Sequence, residues 1–344
     1  MRPRPRTVAL LAGAVAAGAL ARSGRARRRL LAPIPAELRS PILMLPLKVA
    51  GDRTVAVLNA AVRAGAKQGE GDGWVRREVP STDDAPAVPV YVYEPPVGAG
   101  AGPAEPAPAV LWIHGGGLVI GHPVVYHDIC RRLARELGAV VVSVDYRLAP
   151  VDPFPAGLED CYSALRWLHD EADDLGVDAA RIGVAGDSAG GGLTAALCQV
   201  ALDRGGPAVA FQAMKYPMLD DRSVLRADHA GRGAFVWTPE SNAYAWGAYL
   251  GHPVTEDEDR PYASASRRSD LAGLPPAWIG MGELDLFHDE DVAYAERLRA
   301  AGVDCELLVV PGMYHGAEGL AAKAEAMVGF EDALVAALRR GLSA

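Results

Sequence analysis

Cysteine is scarce and scattered. The four residues Cys130, Cys161, Cys198 and Cys305 include no two within four positions of each other. That spacing excludes a zinc knuckle and a C-x-x-C redox pair. Each sits in an apolar stretch, where a thiol packs as a small hydrophobe. A chain of 344 residues can hold a large core together without disulfides. Positive charge is also in deficit: the net charge is −9 and the pI about 5.4. An acidic chain offers no general phosphate-binding surface, so nucleic acid is excluded as a partner. No cluster of metal ligands is visible, and neither a metal nor an organic cofactor is expected.

A full membrane span is missing as well. The apolar run at residues 8–21 has fourteen residues, against the roughly 20 that a bilayer requires. Arginines flank it on both sides, with Arg22, Arg25, Arg27, Arg28 and Arg29 where a cleavable signal would carry a small neutral site. Residues 1–30 read equally as a loose arm in weak contact with a membrane or as an uncleaved anchor, both ahead of export. The chain is expected to be cytoplasmic, and the sequence also allows a homodimer.

Half of the residues are apolar and just under a quarter charged, the profile of a globular protein. Residues 33–66 read as short helices broken by Pro41 and Pro46, with an amphipathic helix at 55–62 that puts Leu58 and Val62 on one face. Strands are expected at 74–79 and 88–93, and the Gly-, Ala- and Pro-rich residues 98–108 read as a loop. A β/α alternation follows. Strands at 109–113, 139–144, 181–185, 209–215, 277–281 and 305–310 are interleaved with helices at 126–137, 155–171, 188–202, 292–301 and 321–340. Unbroken apolar strands alternating with helices predict an α/β fold, its mostly parallel sheet covered on both faces. Residues 219–270, rich in Trp, Tyr, Arg and Asp, break the rhythm and are expected to leave the sheet and cover something.

The chemistry is concentrated in two glycine-rich turns. Gly186-Asp187-Ser188-Ala189-Gly190 lies between an apolar strand and a helix. A serine in that turn is exposed at a helix amino terminus, where backbone N–H groups face a developing oxyanion. His114-Gly115-Gly116-Gly117 follows another strand. Three consecutive glycines cost backbone entropy and add no packing, so their use is close backbone approach to a carbonyl oxygen. A nucleophilic serine needs a base, and the base an orienting carboxylate; around such a turn the chain order is Ser, acid, His. Of the histidines after Ser188, His229 and His252 fall in the insert. His315 follows the last strand in a Pro-Gly turn, at the strand end where ligand-facing groups collect; His288, beside acidic residues, is its competitor. Asp285 is the favoured acid just past the strand at 277–281, with Glu283 as the alternative. Asp289, Glu290 and Asp291 read as an acidic first helical turn.

With these residues in hand, the chain resembles the hormone-sensitive-lipase-like esterases, the bacterial family IV carboxylesterases of the α/β-hydrolase superfamily. The matching strings are HGGG at 114–117, DYRLAP at 145–150, FPAGLED at 154–160, GDSAGG at 186–191, YPMLD at 216–220 and ELDLFHDE at 283–290. The resemblance implies an α/β-hydrolase fold, a Ser188–His315–Asp285 triad and oxyanion donors from Gly116, Gly117 and Ala189. It makes His114 a scaffold for its loop and a small-molecule ester of short to medium acyl chain the substrate. It also implies a helical cap, giving an arm at 1–30, cap segments at 31–73 and 219–272, and core segments at 74–218 and 273–344. The chain departs from the pattern at Leu118, where an aromatic is usual, at Leu286, usually proline, and at Ala317, usually phenylalanine. These positions bear on pocket size more than on chemistry. Trp237, Tyr244, Trp246 and Tyr249 either line an acyl pocket or pack the cap against itself. The rival readings are an amidase or acyltransferase, a non-hydrolytic receptor on the same fold, and a membrane-acting lipase; the presence of His315 argues against the receptor.

Overall fold

A computed structural model describes residues 27–45, 48–65, 73–81, 85–96 and 106–343. Nearly all of the amino-terminal arm and most of the loop at 98–108 lie outside this set. Among the described residues, no helix is long and apolar enough to cross a membrane.

One eight-stranded sheet organises the chain. Its strands are β1 (Val75–Val79), β2 (Val88–Tyr93), β3 (Ala107–Ile113), β4 (Val140–Val144), β5 (Val177–Asp187), β6 (Phe211–Lys215), β7 (Ala277–Gly282) and β8 (Cys305–Val310). Their spatial order is β1-β2-β4-β3-β5-β6-β7-β8. The pairs β1·β2 and β2·β4 are antiparallel, and every pairing from β4 to β8 is parallel. The valine run of β4 is buried at all of its positions, as a parallel strand covered on both faces must be.

The α-helices that matter here are α1 (Asp52–Gly65), α2 (His127–Leu137), α3 (Ala156–Asp170), α4 (Ala189–Asp203), α5 (Pro239–Leu250), α6 (His288–Ala300), α7 (Ala317–Ala321) and α8 (Glu325–Gly341). Helix α4 is buried from Ala189 to Ala201, because its small residues let it lie directly on the sheet. A Cβ at Gly190 would come within 2.0 Å of the Ile113 carbonyl oxygen, so only glycine fits where α4 crosses β3.

The structure moves several expected boundaries. Strand β3 begins at Ala107, inside the expected loop, and its register shifts between Ala107 and Ala109. Pro108 occupies that irregularity, where a residue without an N–H costs no ladder bond. The closing helix is two helices, α7 and α8, and α1 extends beyond 55–62 at both ends. The insert between β6 and β7 carries one α-helix, α5, and two short 3-10 turns at Asp221–Leu225 and Ala265–Arg267, so it is largely irregular rather than helical. The amino-terminal segment docks on it: Val49 N donates to Ser241 Oγ (3.0 Å), Lys48 pairs with Glu240 (2.9 Å), and Tyr244 Oη donates to Asp52 (2.8 Å). Cys130, Cys161 and Cys198 are buried and Cys305 is half-buried; all four are free thiols.

Candidate active site

The parallel strands deliver their carboxyl ends to one edge of the sheet, and each expected site residue comes from one of those ends. Strand β5 stops at Asp187 and α4 starts at Ala189, leaving Ser188 in the turn with φ 54° and ψ −119°. A non-glycine residue held there stores on the order of 1–3 kcal/mol. Three backbone bonds hold it: Ser188 N donates to Lys215 O (2.8 Å), and Ser188 O accepts from Gly192 N (3.0 Å) and Met218 N (2.9 Å).

The loop after β3 turns back on Gly116, whose carbonyl accepts from Val119 N (3.2 Å) and Ile120 N (3.0 Å). Gly117 has φ +62°, and a Cβ there would meet the Trp237 ring at 2.1 Å. Among the described residues, no group accepts a hydrogen bond from the N–H of Gly116, Gly117 or Ala189. Three N–H groups are thus unspent, and that of Ala189, next in sequence to Ser188, opens a long helix. His114 is buried beneath this loop, with Nδ1 2.8 Å from Gly115 O and its ring stacked on Tyr146 at 4.3 Å. Burial lowers its pKa to about 4, so the ring is neutral.

His315 stands between Ser188 and Asp285. Its Nε2 is 2.9 Å from Ser188 Oγ and its Nδ1 is 2.8 Å from Asp285 Oδ2. Asp285 is fully buried, and its other oxygen accepts from Phe287 N (3.0 Å). The imidazole is enclosed by Tyr216 and Phe287, both edge-on with ring centroids 4.6 and 5.3 Å away. Burial pulls the His315 pKa down, but the charge and hydrogen bond of Asp285, with Glu318 and Asp187 behind, outweigh it and leave the pKa raised. The competitors are engaged elsewhere. His288 Nδ1 lies 3.0 Å from Asp289 Oδ1, and Glu283 Oε2 accepts from Gly312 N (2.9 Å).

Sequence reasoning missed the groups behind the imidazole. Tyr216 Oη donates to Glu318, and Lys215 Nζ lies 2.9 Å from Glu318 and 2.6 Å from Glu331. Asp187, buried beside them, has its pKa raised to about 6, chiefly by desolvation. Tyr216 was inside a matched string, but no spacing rule joins Lys215 to a carboxylate on α8. Asn59 was also missed: from α1 its Nδ2 donates to Val119 O (2.8 Å) and its Oδ1 accepts from Gly121 N (3.3 Å).

Next to Ala189 lies a narrow apolar crevice with a volume of only about 10 Å3, walled by Leu118, Leu193, Met218, Trp246 and Tyr249. Of the four aromatics whose place the sequence left open, Trp246 and Tyr249 line this crevice and Trp237 lies against Gly117. Tyr244 packs the insert onto α1 instead.

Comparison with known proteins agrees with this geometry. A family model described as alpha/beta hydrolase fold matches residues 110–318. The chain is 39% identical over 258 residues to carboxylesterase NlhH of Mycobacterium tuberculosis, covering 75% of this chain and 79% of that one. It is 36% identical over 236 residues to an ethyl acetate hydrolase of Pseudomonas putida, covering 68% and 73%. Among solved structures, a bacterial heroin esterase superposes with a TM-score of 0.80 at 37% identity, over 90% of this chain and 98% of that one. The strand order, the turn at Ser188 and these relatives agree: the chain belongs to the hormone-sensitive-lipase-like carboxylesterase family of the alpha/beta hydrolases.

Proposed function

We propose that the protein is a serine carboxylesterase that hydrolyses short- to medium-chain acyl esters through an acyl-enzyme on Ser188. The observation that carries this reading is the continuous relay from Ser188 Oγ to His315 Nε2 (2.9 Å) and from His315 Nδ1 to Asp285 (2.8 Å). His315 removes the Ser188 proton as the oxygen attacks the ester carbonyl. The tetrahedral oxyanion is held by the N–H groups of Gly116, Gly117 and Ala189, whose donors are otherwise unspent. The alcohol then leaves with the proton from His315, and water repeats the sequence on the acyl-enzyme. Asp285 fixes the imidazole tautomer and stabilises the imidazolium.

The acyl chain lies against the apolar residues beside Ala189, among them Leu118, Met218 and Trp246. Segments 31–73 and 219–272 form the cap. Their contacts through Val49, Lys48 and Tyr244 join them into one cover.

The test is hydrolysis of p-nitrophenyl esters from acetate to palmitate, run beside Ser188→Ala. Turnover that peaks at short chains and disappears in the folded Ser188→Ala protein is expected. A folded wild type inactive on every ester would overturn the reading in favour of an amide substrate, an acyl acceptor other than water, or a receptor.

A further inference from the structure

Among the described residues, three aromatic rings approach the imidazole of His315. Two come from the sheet and its helices: Tyr216 directly follows β6, and Phe287 directly precedes α6. The third, Trp237, belongs to the insert. Its ring centroid is 6.4 Å from that of His315, with the planes 39° apart. The same indole lies over Gly117, where an added Cβ would overlap its Cη2 and Cζ2 atoms. One buried side chain therefore borders both an oxyanion donor and the base.

The turn that presents this ring is strained. Trp237 N donates to Phe235 O (2.7 Å) across Val236, whose φ is +62°. That is a γ-turn of the rare positive-φ kind, built on a β-branched residue that disfavours the region. Such strain persists only where the surroundings over-determine it, and here they do. Trp237 Nε1 donates to Asn242 Oδ1 (3.3 Å), and Asn242 Nδ2 donates to Ser223 Oγ (3.0 Å). The Arg27 guanidinium lies 5.3 Å from the centre of the Phe235 ring. On the other side, the Thr238 side chain accepts from Ser241 N and caps α5. The indole is thus held over Gly117 from both flanks.

The chemistry decides which part of an ester meets this ring. The alcohol oxygen takes its proton from the base, so the alcohol stays beside His315 until it leaves. The carbonyl oxygen must reach the donor N–H groups, of which Gly117 supplies one. A ring that borders both Gly117 and His315 therefore stands beside the alcohol of the bound ester. The apolar residues beside Ala189, against which the acyl group lies, are a separate set that does not include Trp237.

We propose that Trp237 is the specificity-determining residue for the alcohol moiety of the ester, its indole limiting the bulk of the leaving group. This rests on the carboxylesterase reading, with Ser188 as nucleophile and His315 as base. Ser188 and His315 are only 6% and 5% exposed, so room taken by the indole is room that a larger alcohol lacks. Val236, next to it in the chain, is exposed. A shorter side chain at 237 opens the alcohol side toward the surface and leaves the acyl side as it is.

The experiment compares wild type, Trp237→Phe and Trp237→Leu on two ester series, reading kcat/KM for each. One series keeps the acetyl group and varies the alcohol through ethyl, butyl and benzyl. The other keeps the ethyl group and varies the acid through acetate, butyrate and hexanoate. Dividing each ratio by its wild-type value cancels the intrinsic reactivity of the esters. Trp237→Leu should raise the benzyl-to-ethyl ratio by about tenfold, the effect of burying about two further methylenes, while the hexanoate-to-acetate ratio keeps its wild-type value. Trp237→Phe loses the bond to Asn242 but keeps a ring, and should raise the benzyl-to-ethyl ratio less. If Trp237→Leu does not fold, Trp237→Phe carries the comparison, and its ratio must still exceed that of wild type. An active Leu variant with the wild-type alcohol preference, or with only its acyl preference changed, overturns the proposal and leaves the esterase reading intact. A Phe variant that moves as far as Leu assigns the effect to the lost hydrogen bond and overturns the role of bulk. A wild type with no Ser188-dependent turnover on either series overturns the esterase reading, and the alcohol limit with it.

Discussion

Tyr216 stands edge-on to His315 with ring centroids 4.6 Å apart, on a backbone whose φ is +35°. Its hydroxyl donates to Glu318, and the preceding residue, Lys215, is buried between Glu318 and Glu331. The Lys215 carbonyl accepts from the N–H of Ser188. A single dipeptide therefore touches the serine through its backbone and the imidazole through its next ring, and it is anchored by a charge cluster. Burying an ammonium with one carboxylate would already be costly, and the second carboxylate makes the cluster net negative if both are ionised. Glu318, a member of that cluster, acts on His315 by its charge.

The charge has a consequence for the pH profile. His315 acts as base only when neutral, and its pKa is raised because Asp285, Glu318 and Asp187 outweigh the effect of burial. Activity should therefore rise with pH along a limb centred above the ordinary imidazole value of about 6.5. Glu318→Gln removes one of the charges that raise it, while the amide oxygen can still accept from Tyr216. The limb of kcat/KM should then move to lower pH, with the high-pH plateau nearly kept. An unmoved limb would show that Glu318 does not act on the imidazole.

Asp285 and Glu283 are two residues apart on the same loop but do different work. Asp285 meets His315, whereas Glu283 accepts from Gly312 N (2.9 Å) and so ties the loop after β7 to the one that carries His315. Asp285→Asn should lower kcat by about 10⁴ through loss of the productive tautomer, with thermal stability little changed. Glu283→Gln can still accept the Gly312 bond and should cost less than tenfold. Steady-state rates on a short ester decide it, and a larger loss from Glu283→Gln would reverse the assignment.

What the sequence made legible was local. Ser188, the glycines at 115–117, and the loops that bear Asp285 and His315 announce themselves within a few residues of a strand end. Groups that meet only across the fold carry no such signal: Lys215 and Glu331 are joined by a 2.6 Å contact from β6 to α8. The acidic turn at Asp289, Glu290 and Asp291 shows the same limit. It does open α6, as its composition suggests, yet Glu290 and Asp291 are buried. Glu290 accepts from Leu219 N (2.8 Å) and Asp220 N (3.1 Å), so it anchors the start of the insert instead of facing water. A string of acids shows where a helix begins but not which of its faces is covered. The resemblance implies a helical cap, yet the insert carries a single α-helix, α5; its Trp246 and Tyr249 wall the crevice beside Ala189 and Tyr244 meets α1, contacts that need bulk rather than helical periodicity.

Asn59 links α1 to the turn that carries Gly116 and Gly117, the proposed oxyanion donors. Its amide donates to Val119 O and accepts from Gly121 N, bracketing Ile120, whose N–H closes the turn on Gly116. Asn59→Ala removes both bonds and leaves Gly116 and Gly117 to find their positions without the brace. Donors displaced by about 1 Å can cost about 10²-fold in rate, whereas the two lost hydrogen bonds contribute only about 1–3 kcal/mol to stability. The expected result is a folded protein whose kcat on a short ester falls between tenfold and a hundredfold while KM barely moves, since the donors act on the transition state more than on the bound ester. Asn59→Asp keeps the acceptor for Gly121 but sets a carboxylate oxygen against the Val119 carbonyl, so its kcat should fall at least as far as that of Asn59→Ala. A rise in KM at constant kcat would mean instead that Asn59 shapes the substrate pocket and leaves the oxyanion turn unaffected.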